Sequence, residues 1–74
     1  MNREHFFKSL TEDLEAESPI TGGELLKDAA WWDSLAVLII IAIADSSFGR
    51  SVTAEMLAEA QTTDDLFQIA SGCA

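Results

Sequence analysis

Apolar residues recur at helical spacing near the start of the chain and form one stripe: Phe6, Phe7, Leu10 and Leu14. Asn2 stands just before this stripe and is a residue type that caps helix N-termini. Ser18-Pro19 prevents any continuation, because the residue before a proline avoids the helical region. The pattern therefore predicts a first helix over Arg3–Glu15.

A second apolar segment, Leu35 to Ala44, is continuous and contains no polar residue. Its β-branched residues are also typical of a strand. The N-terminal signal Asp33-Ser34, the length of the segment and the helical surroundings favour a helix over Ser34–Ser47, with Gly49 as its stop. The run is too short to span a membrane, which takes about 20 residues.

The last third of the chain carries two further helix signals. Thr53 can cap a short third helix over Ala54–Ala60. Thr62, followed three residues later by Asp65, resembles a capping box and predicts a fourth helix that ends near Ser71, with Gly72 as its stop.

The connection between helices one and two is long, from Ile20 to Trp32. Gly22-Gly23 marks a flexible turn, and Glu24–Asp28 can form a helical turn with both of its leucines pointing inward. Long loops in small domains often carry function. The tryptophan pair at its end, Trp31 and Trp32, either anchors the loop or lines a site for cargo or a partner.

These elements predict an all-α, four-helix bundle with a long loop between helices one and two and a short third helix, in one domain over residues 1–74. One cysteine, Cys73, and one histidine, His5, cannot supply an internal disulfide or a zinc site, so helix packing must stabilise the fold. We expect six residues to share the core: Phe6, Leu10, Leu38, Phe48, Leu66 and Phe67.

Thirteen acidic and four basic residues give a net charge of -9. Such a surface repels phosphate backbones and anionic membranes and favours basic protein partners. The first 14 residues contain no continuous apolar stretch typical of a signal peptide, and a lone thiol fits a reducing cytoplasm, which we take as the expected location. No catalytic triad, calcium loop or metal-ligand spacing is visible, so no enzymatic activity is expected.

The residues with the most specific chemistry are Asp33-Ser34-Leu35, preceded directly by Trp32. A serine hydroxyl at a helix start can form a phosphodiester, although the same local pattern also fits a simple N-cap. Together with Phe48-Gly49, Val52-Thr53 and Thr63–Leu66, this tripeptide resembles the attachment region of acyl carrier proteins and the related peptidyl and D-alanyl carriers. The resemblance covers nearly the whole chain and is firmest over residues 32–69.

The resemblance implies that Ser34 receives 4′-phosphopantetheine from coenzyme A through a separate, magnesium-dependent phosphopantetheinyl transferase. The thiol of this arm would carry acyl groups as thioesters between acyl-loading and acyl-processing enzymes of a fatty acid, lipid or polyketide type of pathway. Asp33 would help the transferase engage and could also cap the helix. Leu35 would contact partners or simply pack. A monomeric carrier that catalyses nothing alone is expected.

One feature departs from the family. Carriers of fatty acid synthesis place acids along helix two, whereas the corresponding positions here are taken to be Ala36, Ile39 and Ala42. We expect these three residues to be exposed partner contacts, with Ile39 the foremost, and the partner surface to be more apolar and less basic than usual.

Two other functions remain open. The chain could be an unmodified interaction module of the same fold that uses apolar helix two as a docking surface or dimer seam. A role at a membrane surface would use the same helix, but the net charge of -9 argues against it.

Overall fold

The computed structural model describes residues 2–72, and within this range the chain forms helices and no strand. A single 3₁₀ turn lies in the first connection, at Leu26–Asp28. The four helices are α1 (Arg3–Asp13), α2 (Ser34–Phe48), α3 (Ala54–Ala58) and α4 (Thr63–Ser71). The predicted all-α bundle with a short third helix is therefore confirmed.

Helix α2 lies at the centre of the bundle, in contact with each of the other three helices. Its core-facing residues are Ala36, Ile40, Ile43 and Ala44. The aromatic part of the core is a cluster in which the Phe6 ring lies 5.4 Å from that of Phe67 and 6.5 Å from that of Phe48. Phe6, Leu10 and Leu66 are fully buried, and Phe48 and Phe67 pack against them half-buried.

The prediction for Leu38 was wrong, because this side chain is 63% exposed instead of lying in the core. Successive residues of a helix are rotated by about 100°, so a residue two positions from the buried Ile40 points to the opposite side. A helix that is apolar on every side has no sequence periodicity that marks its inner face. Burial of Ile40 therefore places Leu38 in solvent.

Helix α1 ends at Asp13, two residues earlier than predicted. Glu15 takes a left-handed conformation with φ 52°, and the N–H groups of Glu15 and Ala16 bond to the carbonyls of Glu12 and Thr11. This is a Schellman motif. Its left-handed position is usually a glycine, so a glutamate there gives no sequence signal.

The long connection is fastened to the start of α4 by backbone hydrogen bonds. The N–H of Leu26 donates to the carbonyl of Gln61 at 2.9 Å, and the N–H of Thr63 donates to the carbonyl of Glu24 at 3.0 Å. Leu26 is buried as predicted, whereas Leu25, expected to point inward, is 46% exposed. The two adjacent leucines point in different directions, and only one of them can reach the core.

The predicted glycine stops of α2 and α4 are confirmed. Gly49 and Gly72 adopt left-handed conformations with φ 64° and 82°, which glycine accommodates without a Cβ clash. Helix α3 has its predicted cap, Thr53, but ends at Ala58, two residues short of the predicted end. None of the helices within residues 2–72 is both long and apolar enough to cross a membrane.

Candidate functional site

The start of α2 is capped by Asp33 and not by Ser34. Asp33 has an extended backbone, and its Oδ1 accepts a hydrogen bond from the N–H of Ala36 at 3.1 Å. Ser34 is the first helical residue and is exposed. The sequence left two roles open for Ser34, capping the helix and serving as an attachment point. Asp33 fills the capping role in the structure.

The Ser34 hydroxyl makes no hydrogen bond with any other residue in the described range 2–72, so solvent has free access to it. The first N–H groups of a helix lack intrahelical acceptors, and the helix dipole adds positive potential at this end. This environment favours an anion attached to the hydroxyl.

The tryptophan pair leads the connection into α2. The two indole rings meet edge to face with centroids 6.0 Å apart, and both side chains pack half-buried against the core. The Trp32 ring also borders a pocket of about 500 Å³, whose other lining residues are Leu25, Leu26, Lys27, Ala60 and Gln61. The pair thus anchors the loop, and one member also lines a concave surface two residues from Ser34.

The outward face of α2 is apolar over its first two turns. Leu35 is 57% exposed and Leu38 is 63% exposed, and Ala42 continues the same face one turn later. Beside this face runs a groove of about 370 Å³ between α2 and the segment that follows it, lined by Leu38, Ile41, Ala42, Asp45, Arg50, Ser51 and Val52.

The three predicted partner contacts on α2 are only partly supported. Ala42 is exposed, but Ala36 is fully buried in the core and cannot touch a partner. Ile39 is half-buried and packs against the core, so the foremost exposed aliphatic residue is Leu38 instead. The error has the same origin as the misplaced Leu38, since an unbroken apolar run conceals which residues face outward.

The remaining candidates contribute little to this site. His5 is exposed on α1. Cys73 lies outside the described residues. Across residues 2–72, no three histidine, cysteine or acidic side chains cluster in a way that could hold a metal ion.

Comparison with known proteins gave no match to a family model, to a curated protein or to a solved structure. The assignment of the site therefore depends on the residues and their geometry.

Proposed function

We propose that this chain is a carrier protein that bears 4′-phosphopantetheine on Ser34 and passes acyl groups, held as thioesters, between separate enzymes. The observation that carries the proposal is the state of Ser34: an exposed hydroxyl, free of hydrogen bonds within residues 2–72, at the first position of the central helix. The resemblance of Asp33-Ser34-Leu35 to the carrier attachment motif gives this hydroxyl a specific chemistry.

The neighbours of Ser34 fit complementary roles. Asp33 holds the first turn through its bond to the N–H of Ala36, so the hydroxyl is presented on an ordered helix end. Leu35 is 57% exposed, which supports contact with the transferase or a later partner over a role in packing. Asp33 and Leu35 are both exposed, so an approaching transferase can reach both side chains.

In this proposal the chain is a substrate and not a catalyst. A phosphopantetheinyl transferase supplies the base and the magnesium ion. The Ser34 Oγ attacks the β-phosphorus of coenzyme A, the bond to 3′,5′-adenosine diphosphate breaks, and the serine proton passes to the transferase base. The acyl group then travels on the thiol of the arm, and acyl-loading and acyl-processing enzymes act on it.

The test is the intact mass of the protein after incubation with coenzyme A, magnesium and a promiscuous phosphopantetheinyl transferase. The wild type should gain one prosthetic group, and Ser34→Ala should gain none while its helical circular dichroism stays unchanged. A wild type that stays unmodified with several transferases would overturn the proposal.

A second candidate is supported by the exposed leucines. An unmodified interaction module of the same fold would also expose Leu35 and Leu38 for docking. The mass measurement separates the two functions, because a module of this kind gains no mass with any transferase.

A further inference from the structure

The connection between α1 and α2 has a buried polar anchor on α4. The Thr63 side chain is fully buried, and its hydroxyl donates to the carbonyl of Thr21 at 2.5 Å and accepts from the N–H of Glu24 at 3.2 Å. The N–H of Thr63 donates in turn to the carbonyl of Glu24 at 3.0 Å. One residue of α4 therefore holds residues 21–24 of the connection through groups that dissolved ions do not reach.

The same stretch of the connection also touches an exposed ion pair, at Gly22. Nε of Arg3 donates to Oδ1 of Asp64 at 2.7 Å, and Nη2 lies 2.7 Å from the same oxygen. A Cβ on Gly22 would overlap the guanidinium of Arg3 and would lie 2.6 Å from Oδ1 of Asp64. The pair therefore packs directly on the backbone of Gly22 and joins α1 to α4 at this point of the connection.

The guanidinium of Arg3 is held in place by a second contact. Its central carbon lies 5.2 Å from the centroid of the Phe7 ring, and Phe7 is itself buried in the core. Lys8, a cation on the same helix, makes no ion pair within residues 2–72. The contact with Asp64 therefore comes from the position of Arg3, and not merely from the presence of a cation on an acidic molecule.

We propose that the Arg3–Asp64 pair is a salt-sensitive latch on the connection: when the pair is broken, residues 21–26 detach from α4 more often, while the core stays folded. The latch is defined by Arg3, Asp64 and the Gly22 backbone on which they pack. It does not depend on the carrier function proposed for Ser34.

The physical basis of the latch is the difference in exposure between the two anchors. The side chains of Arg3 and Asp64 are 52% and 38% exposed, so salt weakens their attraction, whereas the bonds of the buried Thr63 hydroxyl are little affected. Local segments open at a lower free energy than the whole domain. Leu26 is only 4% exposed, so detachment brings an aliphatic side chain into water and the open state stays a minor population.

Native-state amide hydrogen exchange of the full chain, followed by NMR, detects such a minor population. Two reporters span the contact between the connection and α4: the N–H of Leu26, which donates to the carbonyl of Gln61 at 2.9 Å, and the N–H of Thr63. The amides of Ile43 and Ala44, two buried residues of α2, serve as the reference for opening of the core.

Arg3→Gln removes the charge of the latch and should raise the exchange rates of both reporters about two- to fivefold relative to the α2 reference. An increase from about 0.05 M to 1 M sodium chloride should have the same effect on the wild type and almost none on Arg3→Gln. Asp64→Asn breaks the pair from the other side, and in that background Arg3→Gln should add no further increase.

Lys8→Gln is the matched control, because it removes one cation from the same helix and leaves the latch intact. Its reporters should exchange within about 1.5-fold of the wild-type rates and should keep the response to salt.

Three results would each overturn the latch. Reporter rates that do not change in Arg3→Gln would show that the pair does not hold the connection. Equal acceleration of the α2 reference amides would show that the pair stabilises the whole fold. A salt response that persists in Arg3→Gln would assign the effect to other charges. Arg3→Gln should still gain a prosthetic group on Ser34 if the wild type does, so the latch and the proposed function can fail separately.

Discussion

The starts of α2 and α4 look alike in sequence but differ in how much of their polar chemistry is already used. At α4, Thr62 and Asp65 cap each other's backbone, with Asp65 Oδ2 3.2 Å from the N–H of Thr62. Thr63 is fully buried, and Asp64 pairs with Arg3 at 2.7 Å. The polar side chains of this helix start therefore all serve the fold.

At the start of α2, only the capping residue, Asp33, uses its side chain to stabilise the fold. Asp33 bonds to the first turn, whereas the hydroxyl of Ser34 has no partner within residues 2–72 and Leu35 projects into solvent. The difference supports the proposal that α2, and not α4, is the helix start that carries the modified residue.

The largest effect is expected from Thr63→Val. The Thr63 hydroxyl donates to the carbonyl of Thr21 at 2.5 Å and accepts from the N–H of Glu24 at 3.2 Å. Valine keeps the shape but leaves the carbonyl of Thr21 and the N–H of Glu24, both part-buried, without this partner, which should lower the free energy of unfolding by about 1–3 kcal/mol in urea denaturation. An unchanged midpoint would show that the Thr63 hydroxyl adds nothing to the backbone hydrogen bonds that fasten the long connection.

Asp33→Ala should have the next largest effect. It removes the observed cap of α2 and should cost about 1 kcal/mol in the same assay. Ser34→Ala, the matched variant one residue later, should cost less than about 0.5 kcal/mol, because its hydroxyl supports nothing in the fold. A larger loss of stability in Ser34→Ala than in Asp33→Ala would assign the cap to Ser34. It would also remove the contrast between the starts of α2 and α4.

Gly22→Ala should have a smaller effect on the start of α4. A Cβ at this position would lie 1.7 Å from Nη2 of Arg3 and 2.6 Å from Oδ1 of Asp64, so both side chains must move and their contact is lost. Because that pair is exposed, we expect a loss of up to about 1 kcal/mol. In an Arg3→Ala background, Gly22→Ala should cost little, and an equal cost in both backgrounds would contradict this explanation.

The pH dependence of Asp65 should give the smallest effect. The backbone N–H of Gln61, then that of Thr62, lower the pKa of this carboxyl below 3.8. A carboxyl whose folded pKa is depressed adds stability above its unfolded pKa and loses it as the pH falls through the folded value. The difference in free energy of unfolding between wild type and Asp65→Asn should therefore be largest at neutral pH and decrease below about pH 4. A gap that does not change between neutral pH and pH 3 would contradict the role of the charged form.

Much of the fold could be predicted because its signals are local. Asn2, Thr53, Thr62, Gly49 and Gly72 are all capping residues at the helix ends that they predicted. The end of α1 could not be predicted, since it depends on a glutamate in a left-handed conformation. The fastening of the long connection by Thr63 is equally hidden, because a threonine in a helix's first turn gives no sign of a partner 42 residues away.

The candidate site divides in the same way. Asp33-Ser34-Leu35 could be located at a helix start from its residue types alone. The outward face of α2 could not, because every position from Leu35 to Ala44 is apolar and burial is decided by the packing of the neighbouring helices. Leu38 was therefore assigned to the core and Ala36 to the surface, and the structure reverses both.

The central claim is that Ser34 is the modified residue, and site-resolved mass spectrometry of the transferase-treated full chain tests it most directly. Thr53 and Thr62, the caps of α3 and α4, serve as internal controls because their hydroxyls are engaged in capping hydrogen bonds. We predict one phosphopantetheine group per chain, located on Ser34, with none on either threonine. An unmodified Ser34, or a group found on another hydroxyl, would contradict the claim that Ser34 is the modified residue.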